Sequence, residues 1–326
     1  MPDILISENL NGLAIDALES KFEVRRLPDL WKDPAALSAQ IKDCRALIVR
    51  NQTRVTSELL AAASRLVVVG RAGVGLDNID VEGAGKAGVI ITYAPEQSSI
   101  SVAEFAIGLM LSLARMIPRA TFETKSGQWN RQSLVGSELY GKTLGIIGAG
   151  KIGYLTAKRA QSFGMKIVAY DPFINPDSVL LRELSADLVE LDDMLALSDV
   201  VSCHIPVTRE TRGLLDRRRL RQMKSTAFLV NTARGEIVNE KHLVEALKDG
   251  MIAGAAVDVR SCEPPLRGEL EELHNVILTP HIAAFTIEAQ KRVVRAVCED
   301  VVRVLEGKRP HNAVHCPIAW ESPNAS

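Results

Sequence analysis

Residues 144–147 are a short apolar run that leads straight into Gly148-Ala149-Gly150-Lys151-Ile152-Gly153, followed by a helical pattern and, about twenty residues on, by Tyr170-Asp171. Three glycines at this spacing have three separate jobs. The first turns the chain sharply between strand and helix, the second removes a side chain so that the backbone can approach a pyrophosphate, and the third lets helix and strand pack closely. The free N–H groups and the dipole of the helix N-terminus then favour an anion there. A strand, this turn and a helix commit the surrounding chain to a parallel sheet with helical crossovers. The pattern stands near the middle of 326 residues. That position implies a dinucleotide-binding domain inserted into a second domain.

The rest of the chain bears out an alternation of strands and helices. Residues 4–6, 47–49, 66–69 and 89–92 read as β-branched strands between helical patterns, and residues 144–147, 166–170, 200–204, 227–231, 252–257 and 276–279 read as six more. The fold expected is α/β, with two doubly wound parallel sheets: a Rossmann domain over residues 99–286 inserted into a flavodoxin-like domain formed by residues 1–98 and 287–326. Ser101 with Glu104 three positions later predicts a capping box opening a helix that Ile117-Pro118 closes. That helix is the expected bridge out of the first domain. A second, from about residue 286 to 305, has valines at helical spacing, stops before Gly307 and carries the chain back. The tail after Pro310 is expected to be a short irregular arm.

Composition narrows the class. The formal net charge of -1 argues against a bulk nucleic-acid or membrane surface. The densest basic run, Arg217-Arg218-Arg219 with Arg221, has no interleaved aromatics and reads as a solvated helical face. Residues 102–117 are apolar but carry Glu104 and Arg115 and are too short to span a bilayer, so they read as a buried helix. The five cysteines, Cys44, Cys203, Cys262, Cys298 and Cys316, are widely spread without a C-x-x-C pair, which fits reduced thiols in a cytoplasm. Met1-Pro2-Asp3 leads directly into Ile4-Leu5-Ile6, with no signal-peptide pattern.

In open α/β sheets ligands bind beyond the carboxyl ends of the strands. Asp171, His204, Arg234, Asp258, Glu263 and His281 all follow such ends. A carboxylate at Asp171 can accept from both adenosine ribose hydroxyls and repels a 2′-phosphate, which favours NAD over NADP. An imidazole such as that of His281 can take and return a proton, and a carboxylate such as Glu263 can fix its tautomer. Arg234 can grip a substrate carboxylate with two parallel bonds. His242, His274, His311 and His315 read as structural or solvated, and no cluster has metal-ligand spacing.

These residues fall within longer matching segments: Val69-Gly70-Arg71-Ala72-Gly73-Val74-Gly75-Leu76-Asp77-Asn78, Asn231-Thr232-Ala233-Arg234-Gly235, Gly254-Ala255-Ala256-Val257-Asp258-Val259, Glu263-Pro264-Pro265 and Leu278-Thr279-Pro280-His281. Over residues 48–307 the chain resembles the NAD-dependent D-2-hydroxyacid dehydrogenases, and within them the D-3-phosphoglycerate dehydrogenases. The resemblance implies that Arg234 holds the substrate carboxylate and C2 oxygen, that His281 is the acid/base and that Glu263 is its partner. It places Gly148, Gly150, Lys151, Ile152 and Gly153 along the pyrophosphate, and Asp171, His204, Ile205, Pro206, Thr232, Ala233, Asp258 and Ala283 along the rest of the NAD. It assigns the substrate carboxylate to the backbone of Arg71, Ala72, Gly73 and Val74. A distal phosphate falls to Arg50, Arg71 and Arg131, the last from a neighbouring subunit of a homodimer built on the helix over residues 101–116 and the arm around Trp129.

Departures from the family pattern bear on the substrate. Ala283-Ala284-Phe285 adds bulk after the histidine, Ser98 stands where Asn is usual, Ile205 stands where Thr often meets cofactor, and Val259-Arg260-Ser261-Cys262 replaces an aromatic-containing run. The expected reaction is reversible hydride transfer between a small D-2-hydroxy acid and NAD, with 3-phosphoglycerate the best single substrate. Glyoxylate, hydroxypyruvate or another dianionic acid such as sulfolactate are the alternatives. A non-catalytic NAD-sensing dimer, like corepressor relatives, is a different class, opposed by the intact Arg234, Glu263 and His281. No C-terminal regulatory domain, and so no control by serine through one, is expected.

Overall fold

The computed structural model describes residues 2–175 and 178–314, so that His315 and Cys316 lie outside the described residues. Five short segments pair in parallel: β1 (Ile4–Ile6), β2 (Val24–Arg26), β3 (Ala46–Val49), β4 (Val68–Arg71) and β5 (Ile90–Thr92), in the order β2-β1-β3-β4-β5. This is the flavodoxin-like order. Successive residues alternate between its two covered faces. Ile4, Ile6, Ile48, Val68 and Ile90 join one apolar cluster, and Leu5, Leu47, Val69 and Ile91 the other. Burial on both faces is why these strands read as continuous apolar runs.

The second sheet holds β6 (Thr143–Ile147), β7 (Lys166–Tyr170), β8 (Asp187–Leu188), β9 (Val200–Cys203), β10 (Phe228–Asn231), β11 (Gly254–Val257) and β12 (Val276–Leu278), all parallel, in the order β12-β11-β10-β9-β6-β7-β8. Counted from β6, that is the dinucleotide-binding order 3-2-1-4-5-6 with one strand added. The chain runs one way from β6 through β7 to β8, then returns to β9 on the other side of β6. The pair β6 and β9 is therefore the switch point.

Two compact units result, Met1–Ser98 with Thr286–Ser326, and Ser99–Phe285. Ten strands lie where the sequence pattern puts them, within a residue or two at their ends. β2 and β8 were not expected: both are edge strands, and Arg25, Arg26 and Asp187 hide them from a search for apolar runs. The bridging helix also differs from expectation. It spans Ser99–Ala114 with Ser101 buried inside its first turn, so Ser101 is not its cap, and Glu104 pairs instead with Arg159 at 3.0 Å. Met116 adopts a left-handed conformation, φ 51, and a new helix, Ile117–Lys125, leaves at 62° with Pro118 in its first turn, where a missing N–H costs nothing. Among the described residues no single helix is long and apolar enough to cross a membrane.

The basic run lies on the short helix Arg217–Gln222 and is neutralised by local acids. Arg217 meets Glu245 and, at 3.2 Å, Asp249; Arg218 meets Asp192 at 2.8 Å. Arg218 chiefly holds the Asp192 carboxyl down to about 2. The four described cysteines are free thiols, three of them buried. Residues beyond Pro310 are pinned where they are described: buried Asp300 accepts from the N–H of His311 at 2.6 Å and of Asn312 at 3.0 Å, and Ala313 bridges to Thr92.

The Ile287–Leu305 helix completes the first unit by packing on β4 at Gly70. A Cβ there would stand 2.7 Å from methyls of Val297 and Val301. Gly70→Ala is expected to overpack this contact and destabilise the protein by about 1–3 kcal/mol, measured as a lower midpoint in chemical denaturation with an unchanged far-UV spectrum.

Candidate active site

Parallel pairing aligns the ends of the large sheet. Ile147 is in register with Tyr170 and Cys203, Cys203 with Asn231, Asn231 with Val257, and Val257 with Leu278. The next residues, Gly148, Asp171, His204, Thr232, Asp258 and Thr279, therefore lie along one carboxyl edge. The glycine turn sits at the switch point. Gly148 has φ +91, and a Cβ on it would lie 2.9 Å from the carbonyl oxygen of His204 and press on Ile205. At Gly153 a Cβ would run into the carbonyl of Gly148 and stand 3.0 Å from Ile146. Gly150 differs: nothing lies within 4 Å of a Cβ built there, and no side chain caps the Lys151–Gln161 helix that follows. That leaves open space in front of a helix N-terminus, which suits an anion.

Asp171 braces this turn. One carboxylate oxygen accepts from Ala149 N at 3.0 Å, the other from Phe173 N at 3.0 Å. Each oxygen keeps a lone pair for ribose hydroxyls. His204 is bonded through Nε2 to Ser202 Oγ at 2.9 Å, and burial pushes its pKa down to about 3, so it is neutral at physiological pH. Pro206 offers its carbonyl to Thr211 Oγ1 at 2.7 Å. Thr232 is 8% exposed, and its Oγ1 is enclosed without a hydrogen-bond partner among the described residues. An orphaned hydroxyl in this position is costly unless a ligand completes it. The open Gly150 turn and the orphaned Thr232 both fit NAD.

Beyond β10, fully buried Asn231 shapes the Arg234 turn: its Nδ2 donates to the carbonyl of Arg234 at 2.8 Å and its Oδ1 accepts from Ala233 N at 3.1 Å. The sequence reading passed over Asn231 as part of a motif; its polarity at the end of a buried strand was the available signal. Beyond β11, Asp258 is 1% exposed. Its carboxylate accepts from Thr279 Oγ1 at 2.6 Å, Ile282 N at 2.9 Å and Ala283 N at 2.9 Å, and its carbonyl from His281 N at 2.7 Å. It thus builds the turn that presents His281, which has φ 54, a strained backbone for a non-glycine residue. His281 Nδ1 lies 2.7 Å from Glu263 Oε2, and both side chains reach solvent. Of the two roles expected for His242, structural or solvated, its position fits the structural one: it is partly buried, with Nδ1 enclosed.

The other unit carries its own residues at the β1/β3 switch point. Glu8, 3% exposed, accepts from the backbone N–H of Arg50 at 2.8 Å, Gln52 at 3.1 Å and Thr53 at 2.9 Å, while Asn78 Nδ2 donates to the carbonyls of Arg50 and Thr53. Glu8 was another residue the sequence reading missed. The Arg50 guanidinium donates to Gln290 Oε1, and burial lowers its pKa. Arg71 lies across Gly73, where a Cβ would strike its guanidinium; Ala72 is buried and Val74 half-exposed. Arg131 is exposed in a short helical turn, Arg131–Leu134, beside Trp129.

The family model described as D-isomer specific 2-hydroxyacid dehydrogenase, NAD binding domain, matches residues 107–283. The chain belongs to the D-isomer specific 2-hydroxyacid dehydrogenases. The chain is 45% identical over 97% of its length to the D-3-phosphoglycerate dehydrogenase of Methanocaldococcus jannaschii, and it spans 60% of the length of that relative. It superposes on a glyoxylate reductase from Paecilomyes thermophila with a TM-score of 0.85 at 30% identity, covering 95% of this chain and 97% of that one. It superposes on the D-lactate dehydrogenase of Aquifex aeolicus, solved with NAD and lactic acid, with a TM-score of 0.84 at 28% identity, covering 96% and 99%.

The glycines separate binding from folding. Gly150→Ala should leave the thermal midpoint of the protein unchanged but weaken NADH at least about tenfold, a loss of roughly 1.4 kcal/mol, by filling the space in front of the helix. Gly153→Ala should lower the midpoint itself. Equal NADH affinity for Gly150→Ala and the parent would refute the pyrophosphate placement.

Proposed function

We propose that this chain catalyses reversible NAD-dependent oxidation of a small D-2-hydroxy acid to its 2-keto acid, with 3-phosphoglycerate going to 3-phosphohydroxypyruvate. The observation that carries the reading is the 2.7 Å contact of Glu263 with His281 Nδ1 on the strand edge that also bears the glycine turn. Bound NAD supplies the hydride acceptor. Arg234 grips the substrate carboxylate and C2 oxygen. His281 Nε2 takes the hydroxyl proton as the C2–H bond breaks with its electron pair, and Glu263 stabilises the imidazolium that forms. In the reverse direction the same nitrogen returns the proton to the carbonyl oxygen.

In this reading residues 99–286 form the NAD-binding domain, with Asp171 on the ribose, and residues 1–98 with 287–326 form the substrate domain. Backbone of Arg71, Ala72, Gly73 and Val74 receives the carboxylate, and Arg50, Arg71 and Arg131 receive a distal phosphate. The 45% identity to a D-3-phosphoglycerate dehydrogenase supports the choice of acid. A second copy is proposed to supply Arg131, because Phe122, Trp129, Val135 and Tyr140 are each more than 70% exposed on one stretch of chain, an apolar surface that a partner subunit covers. Free buried thiols support a reducing, cytoplasmic setting. Bulk at Phe285 supports a second reading, reduction of glyoxylate or hydroxypyruvate, in which no distal phosphate is recognised.

His281→Ala should keep NADH binding and lose at least about 10²-fold in turnover; near-normal turnover would remove His281 from the mechanism. Across a panel of 2-keto acids with NADH, phosphohydroxypyruvate should be reduced most efficiently. Arg50→Ala should raise its KM about 10- to 100-fold, the worth of a charge-assisted hydrogen bond of roughly 1.5–3 kcal/mol, while leaving glyoxylate unaffected. Faster glyoxylate reduction by the parent enzyme would favour the second reading.

A further inference from the structure

The Glu263–His281 pair is exposed, 38% and 46% by side chain. An ion pair in water is held weakly and wanders. Its geometry must therefore be imposed from elsewhere, and one contact shows where. Glu263 Oε1 accepts from the backbone N–H of Arg260 at 3.0 Å while Oε2 faces His281.

Arg260 is itself anchored. Its side chain is 11% exposed and lies between two carboxylates: Glu240, at 3.3 Å from Nε and 3.0 Å from Nη2, and Glu271, on Nη1. Glu240 also accepts from Ser261 N at 2.8 Å and Ser261 Oγ at 3.0 Å, so four donors converge on it. Burial works against the Arg260 charge, and the two carboxylates more than offset it, holding its pKa above the ordinary value. From below, the Arg260–Ser261 peptide rests on Gly235: a Cβ there would collide with the Arg260 carbonyl and Ser261 N. Gly235 directly follows Arg234, so one seat supports both the Arg234 turn and the Glu263 turn.

We infer that Arg260, clamped by Glu240 and Glu271, is a positioning residue that holds Glu263 on His281. It occupies the run Val259-Arg260-Ser261-Cys262, where the sequence departs from the aromatic-containing pattern, so an ion clamp here does what packing would otherwise do. The inference rests on the proposed roles of Glu263 and His281.

Arg260→Met removes the clamp and keeps the peptide. It should lower kcat about tenfold or more, within the ~10²-fold that about 1 Å of misplacement costs, with NADH affinity unchanged. It should also broaden or remove the downfield Nδ1–H proton resonance of His281, assigned by its loss in His281→Ala. In a Glu263→Gln background the same substitution should cost less than about twofold, because its route to His281 is already cut. Retained turnover and resonance, or a loss that simply multiplies that of Glu263→Gln, would overturn the inference. Should Arg260→Met fail to fold, Glu271→Gln leaves the Glu240 contacts in place and is expected to act in the same direction; parental kcat and resonance there would overturn it equally. Normal turnover in His281→Ala would instead sink the catalytic reading, and the resonance would still report whether Arg260 holds the pair.

Discussion

The helix Lys151–Gln161 can lie against β6 only because Gly153 has no side chain to drive it off the Gly148 carbonyl. Much of the inserted unit depends on that approach. It sets the turn at the β6/β9 switch point, aims an uncapped helix N-terminus at open space beside Gly150, and brings Gly148 up against the His204–Ile205 backbone. Parallel pairing then does the rest: with each strand ending in register, the residue that follows each one is delivered to the same edge.

What holds those loops is a recurring device, a carboxylate spent on backbone N–H groups. Asp258 takes two from the His281 turn, Glu8 three from the Arg50 loop, Asp300 two from residues 311 and 312, and Asp171 one from the glycine turn and one from its own. A buried carboxylate without such donors would be very costly. With them it fixes several peptides at once, and charge-assisted bonds are the stronger kind. The pair proposed to react is built the opposite way. Glu263 and His281 reach solvent, and rigidity comes from less exposed neighbours on either side: buried Asp258 under the His281 turn, and half-buried Arg260 with Glu240 and Glu271 behind Glu263. Separating reactive groups from the groups that aim them lets the site stay open without becoming loose.

Arginine shows how poorly residue type alone reports function. Arg217, Arg218 and Arg219 form the densest basic run, yet they are consumed by Asp192, Glu245 and Asp249 on one face. Arg260, isolated in sequence, stands at the centre of a half-buried ion cluster. Arg50 is partly buried and donates to Gln290, a residue 240 positions away.

Ten of the strands, the insertion of one α/β unit within another, and the edge on which Asp171, Arg234, Asp258 and His281 sit were legible in the sequence, because strand pattern, glycine spacing and the carboxyl-end rule are properties of local chain order. β2 and β8 were not, since charged edge strands lack the apolar run that marks buried ones, and the Ser101 capping box failed because Ser99 and Ile100 extend the helix past it. Glu8, Asn231 and the Arg260 clamp were equally hidden. Each is a polar residue whose role is fixed only when folding brings its partners within about 3 Å, from far along the chain for Glu8 and Arg260 and from the following turn for Asn231.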